Sequence, residues 1–278
     1  MTIIYIDPDN RGIPVQFGGA DAISYIVTAD EEDKQWRELT TQGLDDYLHY
    51  HDSDGYDELT VTIMEMYGSL ITKYALQYQA NAIVDVGCGV GQQRPIYARK
   101  LPRDIAYLGL DPIRVNEDRS YDYLCAKVED LDWINIHNRY DLALFATSLD
   151  HFLDIDIALN SVKNVMNKDG HLILWIGLHD SRLVAEMSAS NVFARIFSTK
   201  SFLKRMVMLA GWLSIGLPRL LLTCKLRENR LRSGLALDRF HFHYFVESDI
   251  EIILSRHGKL VELVRIPGTN SLFAVLKI

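Results

Sequence analysis

The stretch AIVDVGCGVGQ, residues 82–92, constrains the fold of this chain more than any other. Apolar residues on both sides of Asp85 read as a strand covered on both faces, the pattern of a parallel sheet. Gly87, Gly89 and Gly91 then let the backbone turn tightly and leave no Cβ between the turn and a ligand. An apolar helical spacing over 59–77 leads into this stretch, and a regular alternation follows it. Strands are predicted at 106–110, 123–127, 141–146 and 171–177, with helices at 94–101, around 115–121 and at 158–166. Strand and helix in turn imply right-handed crossovers and a mostly parallel sheet with helices on both faces. A helix over 248–258 and two strands, 259–265 and 271–277, close the chain as a hairpin.

The 278 residues suit one large domain, or a core with an insertion. Four parts are expected: an N-terminal extension and lid (1–78), a nucleotide-binding core (79–180), a basic helical insertion (181–240), and a C-terminal return to the core (241–278). The net charge of −8 gives no reason to expect nucleic acid as a partner. Cys88, Cys125 and Cys224 form no CxxC pair, so reduced thiols fit better than disulfides or a zinc site. The opening MTIIYIDPDN lacks the basic-then-apolar order of a signal peptide. A cytoplasmic location is therefore expected.

The acids narrow the ligand. A dinucleotide turn has GxGxxG spacing and cradles a pyrophosphate. Here the spacing is GxGxG, and Asp85 lies two residues before the first glycine. That acid suits an amine better than a phosphate. Asp111 ends the next strand, where a carboxylate accepts hydrogen bonds from ribose hydroxyls. A nucleoside carrying a cationic amino-acid group satisfies both acids.

At this point the chain resembles the class I S-adenosylmethionine-dependent methyltransferases. The resemblance rests on VDVGCGVGQ (84–92), YLGLDP (107–112), VEDLDW (128–133), YDLALFATSLDHFLD (140–154) and SVKNVMNKDGHLIL (161–174), five segments in family order. It implies a Rossmann-like seven-stranded sheet with an antiparallel last strand, and S-adenosylmethionine as cofactor. By the same resemblance Asp85, Gly87, Gly89 and Gly91 hold the methionine moiety, and Asp111 binds the ribose. Val128 and Glu129 lie beside the adenine. Cys88, Pro112 and Thr147 fall in the matched segments and join the cofactor-binding set. Lys127 departs from the pattern, because many relatives carry an acid there.

Acceptor chemistry points elsewhere. Transfer to a hydroxyl releases a proton, and histidine is the usual base. His151 follows the fourth strand, with Asp150 beside it and Asp154 three residues on. His241 and His243 alternate in FHFHYF (240–245), a spacing that lacks a clear third metal ligand, so no metal is expected. Trp36, Tyr47, Tyr50 and Tyr56 are candidates to line an acceptor pocket. The insertion holds eleven Lys or Arg against three Asp or Glu, around the thirteen uncharged residues 206–218. That run is too short to span a bilayer. Basic flanks on an apolar segment fit peripheral contact through 200–232 with the inner face of a membrane, and they equally fit an anionic acceptor or a protein-covered cap. The expectation is O-methylation of a sugar hydroxyl on a lipid-linked bacterial glycan. Methylation of a soluble small-molecule natural product and a non-catalytic binding role are the alternatives.

Overall fold

The structure is a computed structural model. It describes residues 2–6, 14–15, 17, 22–27, 56–113, 118–132, 134–136, 139–179, 181–232 and 241–278. Its strands are β1 (Thr2–Ile6), β2 (Pro14–Val15), β3 (Ile23–Val27), β4 (Ala82–Val86), β5 (Ala106–Leu110), β6 (Asp122–Cys125), β7 (Asn135–Ile136), β8 (Tyr140–Ala146), β9 (Met166–Gly177), β10 (Lys259–Arg265) and β11 (Ser271–Lys277). Nine of them form one sheet in the order β1-β3-β6-β5-β4-β8-β9-β11-β10. Neighbours from β1 to β9 are parallel, and β11 runs antiparallel to both β9 and β10. The seven expected strands are present, with the antiparallel strand last in sequence. From β4 the chain winds outward through β5 and β6, then returns to build β8 and β9 on the other side. The crevice where the order reverses lies at the carboxyl ends of β4 and β8, where open α/β sheets bind ligands.

The central strands are buried as their composition predicts. Ile83, Val84, Leu142, Leu144 and Phe145 have no exposed surface. Helix α1 (Glu58–Gln77) starts at Asp57, whose carboxylate caps the Thr60 N–H at 2.7 Å. It lays Ile63, Tyr67, Ile71 and Tyr74 on one face of the sheet. Each such side chain, fully buried, contributes about 1.5–3 kcal/mol. The Tyr67 hydroxyl donates to the Ile173 carbonyl at 2.6 Å, so this buried polar atom is satisfied. A Cβ on Gly68 would stand 2.6 Å from the Tyr97 carbonyl oxygen, so Gly68→Ala would push α1 away from the 3-10 turn that carries Tyr97. Helix α2 (Ile155–Val165), capped by Asp154 on the Ile157 N–H, covers the opposite face.

Two expectations change. The helix predicted at 94–101 is a single 3-10 turn, Ile96–Ala98. Pro95 is extended, and Pro102 disfavours the helical conformation at Leu101, so too few residues remain between them. The helix predicted around 115–121 is not formed at 118–121, and 114–117 lie outside the described residues. Ser120 N–H instead donates to the Gln92 carbonyl at 2.9 Å, tying this segment to the glycine turn. The N-terminal part expected as a lid contributes β1 and β3 to the sheet edge and α1 to its face. Trp36, Tyr47 and Tyr50 lie outside the described residues, and Tyr56 packs partly buried against the core.

The insertion is helical: α3 (Ser181–Ser198), α4 (Phe202–Gly211), a π turn at Trp212–Gly216, and α5 (Leu217–Arg232). Pro218 has no N–H for the Ser214 carbonyl, and the π turn takes up that break, with Leu217 N–H donating to Trp212 O. Helix α6 (Glu247–Ser255) and the β10–β11 hairpin then complete the core.

Candidate active site

The strand ends build the site in two halves. In the first, Gly87 and Gly89 have φ of +76° and +77°, a region that only glycine enters without strain. A Cβ on Gly87 would also stand 2.4 Å from the Ser148 Cβ. Gly91 has no such φ; a Cβ there would meet the Gln93 carbonyl at 3.3 Å. The turn is held from two sides. Asp111 accepts from the Gly89 N–H through Oδ2 and from the Ile113 N–H through Oδ1, both at 2.9 Å. Arg119 lies 3.5 Å from the Tyr123 ring centroid and donates to the Gly89 carbonyl at 3.0 Å.

Asp85 is fully buried at the end of β4. Its Oδ2 accepts from Tyr97 at 3.0 Å and from Tyr107. Its Oδ1 has no hydrogen-bond partner among the described residues. Burial pushes this carboxyl up to about 7, against the pull of the two tyrosines. An unpartnered, buried carboxylate oxygen beside a bare backbone turn fits the ammonium of an amino-acid moiety. Burial also raises Asp111, with the Ile113 and Gly89 N–H groups opposing it.

The other residues named for the cofactor sit around this turn. The Cys88 thiol points into the core near Gly109 and Tyr121, and burial pushes its pKa well up, so Cys88 offers the turn its backbone. Pro112 is half-buried, and its carbonyl accepts from Cys125 Sγ. Val128 is buried at the start of the 3-10 turn Val128–Asp132, Glu129 is half-buried, and Asp130 Oδ2 accepts from the Lys127 N–H at 3.0 Å. Thr147, at φ +58°, is exposed where β8 ends.

The second half begins one residue later. Ser148 donates to the Val86 carbonyl at 2.6 Å, which fixes the loop after β8 against the glycine turn. Asp150, buried, then becomes a focus for histidines. His151 Nε2 lies 3.6 Å from Oδ1, while His179 Nε2 and His241 Nε2 lie 3.4 and 3.8 Å from Oδ2. The backbone builds this convergence: Phe242 N–H donates to Asp150 O at 2.8 Å, and His179 N–H to Phe245 O at 2.9 Å. His243 turns elsewhere, its Nε2 at 2.7 Å from the Phe152 carbonyl. The structure therefore brings His151 and His241 together and gives His243 a backbone partner instead.

Sequence reasoning missed five of these residues. His179 follows β9 just as His151 follows β8, and the same strand-end logic would have found it. Ser148 carried no motif of its own. Tyr107 falls in YLGLDP but has no role assigned there, and Tyr97 and Arg119 lie outside every quoted motif.

Residues 84–174 match a family model described as a methyltransferase domain. No curated protein matches the chain. Among solved structures, the 1,6-didemethyltoxoflavin-N1-methyltransferase of Burkholderia thailandensis, bound to its substrate and S-adenosylhomocysteine, is 16% identical, with 90% of each chain covered and a TM-score of 0.53. The N-methyltransferase NodS of Bradyrhizobium japonicum is 13% identical over 77% of this chain and 85% of its own, with a TM-score of 0.43. Strand order, glycine turn and family match agree: residues 84–174 form a methyltransferase domain, and the sheet around it has the Rossmann-like fold of the class I S-adenosylmethionine-dependent methyltransferases, which the chain resembles.

Proposed function

We propose that this methyltransferase O-methylates a hydroxyl, and that the acceptor is a sugar of a lipid-linked glycan. The observation that carries the first part is the convergence of His151, His179 and His241 on the buried Asp150, next to the glycine turn. When bound, S-adenosylmethionine supplies a methyl group already activated on a sulfonium. The chain's task is to hold the reactants and take a proton. Asp85 Oδ1 and the Gly87–Gly91 backbone hold the amino-acid end, and the remaining lone pairs of Asp111 accept from the ribose. Val128 and Glu129 flank the base. His151 and His241, each about one-third exposed, face the acceptor side and receive its proton, with Asp150 stabilising the charged imidazole.

The lipid-linked part rests on the insertion. Residues Phe202–Leu226 form 25 helical residues with a mean hydropathy of 1.6 in their most apolar stretch, none of it buried. Phe202, Leu203, Val207, Leu213, Leu221 and Leu222 are all exposed. The helix is long enough to cross a bilayer by length and composition. Lys204, Arg205, Arg219 and Lys225 interrupt it, and the uncharged centre of thirteen residues is only about 20 Å long at ~1.5 Å per residue. It is therefore placed in the membrane interface, apolar side chains inward and cations at headgroup level.

The test is transfer of a labelled methyl group from S-adenosylmethionine to lipid-extracted glycan. Label in a base-stable sugar ether supports the proposal, and no label in any carbohydrate acceptor overturns it. The second reading, a soluble small-molecule acceptor, draws on the Burkholderia enzyme with its bound substrate. It predicts equal turnover with and without vesicles.

A further inference from the structure

We propose that Asp150, His151 and His241 form a binding site for a divalent transition-metal ion of the zinc class, with the fourth coordination position open to the acceptor oxygen. The inference deepens the reading above and rests on it for the ion's role, though not for its binding.

Three observations support the site. First, the candidate ligand atoms of Asp150, His151 and His241 all lie within 4.8 Å of one another. Zinc bonds of ~2.0–2.1 Å to nitrogen and oxygen place tetrahedral ligands ~3.3 Å apart, so the set closes on an ion with shifts of a few tenths of an ångström to about 1.5 Å. Secondly, the two imidazoles reach one carboxylate from distant segments, His151 Nε2 at 3.6 Å from Oδ1 and His241 Nε2 at 3.8 Å from Oδ2. Thirdly, the exposure is graded as a catalytic metal site requires. Asp150 is 7% exposed, while His151 and His241 are 33% and 36% exposed, leaving the ion a route in and an open face. Two histidines and one carboxylate are also a donor set of catalytic zinc sites.

His179 completes the arrangement. Its side chain is 10% exposed, and its Nε2 lies 3.4 Å from Asp150 Oδ2. It is a positioning residue that orients the ligating carboxylate, as outer-shell partners do. The alternating pair His241 and His243 supplies one ligand rather than two, because His243 is held by the Phe152 carbonyl. The other ligands come from the end of β8, some ninety residues earlier. With the ion bound, the imidazoles of His151 and His241 are ligands and no longer take the proton themselves; the ion stabilises the deprotonated acceptor oxygen, and the proton passes to water.

The test uses untagged full-length protein stripped with chelator. Titration with Co²⁺ is followed by visible absorption and titration with Zn²⁺ by calorimetry. One equivalent of ion and intense tetrahedral Co²⁺ bands are expected. His151→Ala and His241→Ala should each abolish the bands, and His179→Ala should weaken binding about 10- to 100-fold. S-adenosylmethionine affinity, measured on the same variants, should be unchanged and shows that they fold. Unaltered binding in these variants, or no binding by the parent protein, overturns the metal site. If stripped enzyme methylates hydroxyls at full rate, the metal proposal fails and O-methylation stands. If metal binds but no hydroxyl is methylated, O-methylation fails and the metal site stands.

Discussion

The two halves of the strand-end surface are built on different principles. Around the ends of β4 and β5, the groups are buried and tied down: Asp111 by two backbone N–H groups, Arg119 to the Gly89 carbonyl, Asp85 by two tyrosine hydroxyls. At the ends of β8 and β9, one buried acid gathers three imidazoles, two of them partly exposed, from segments far apart in the chain. The first half is held by buried hydrogen bonds and suits a bound cofactor. The second presents titratable nitrogens to whatever arrives. Ser148 joins them, since its hydroxyl reaches Val86 and its Cβ faces Gly87.

If this division is right, substitutions should separate binding from turnover. His151→Ala should lower kcat by about 100-fold or more, the usual worth of a positioned acid–base group. Its Kd for S-adenosylmethionine should stay within about twofold of the parent value. Calorimetry beside steady-state kinetics checks both, and a large Kd change would erase the distinction between the halves. Asp85→Asn should do the converse. It removes the charge proposed to face the cofactor ammonium, and losing one partner of a buried charge pair costs about 2–5 kcal/mol. Cofactor affinity should therefore fall about 30-fold or more, while the melting temperature holds or rises, because the apo protein no longer buries a carboxyl.

The junction between the halves is the next place to press. Gly87→Ala puts a methyl into Ser148 and a non-glycine residue at positive φ, the latter alone about 1–2 kcal/mol. Melting should drop by about 5 °C or more. Adding Ser148→Gly should recover the steric part and leave the φ part, a result readable in a double-mutant cycle. Recovery of the whole loss would show that the left-handed turn is not required.

Legibility in the sequence follows the same division. The turn at Gly87–Gly91, the acids Asp85 and Asp111, and the strands beside them are local patterns, and one stretch of sequence states each. The nine-strand width was hidden, although β1 and β3 are as long as β4 and β5, because β3 joins the sheet by pairing with β6, far along the chain, which no local pattern states. The helix expected at 94–101 failed because Pro95 and Pro102 outweigh an apolar spacing. The acceptor half was half-visible: His151 and His241 were singled out, but their meeting at Asp150, and His179 beside them, depend on a chain return from beyond the insertion. Windowed reading does not contain that contact.

The pH response provides a finer test of Asp85. Its folded carboxyl titrates at about 7, against 3.8 for the free group. An acid raised in the fold stabilises the native state at low pH, and that contribution is lost as pH rises from about 4 to 7. The cofactor ammonium favours the ionised form, so binding below pH 7 must expel a proton. Affinity should rise by up to about tenfold per pH unit toward 7 and level off above it. Calorimetry in buffers of different ionisation enthalpy should register the released proton below pH 7. In Asp85→Asn both the slope and the proton should vanish.

The smallest effect on the core is expected from the insertion, and that makes it informative. Val207 and Leu213 are 65% and 50% exposed. Replacing both by glutamate removes no buried contact, so stability should change by no more than about 0.5 kcal/mol per site. The same change puts two anions on the apolar face between Lys204, Arg205 and Arg219, and should abolish sedimentation with anionic vesicles while S-adenosylmethionine affinity stays constant. Neutral vesicles should bind the parent protein more weakly than anionic ones, because the basic flank then has no lipid charge to meet. A fall in melting temperature, or a dimer that dissociates on substitution, would instead mean that another protein surface covers this face. The acceptor would then have to reach His151 and His241 from solution.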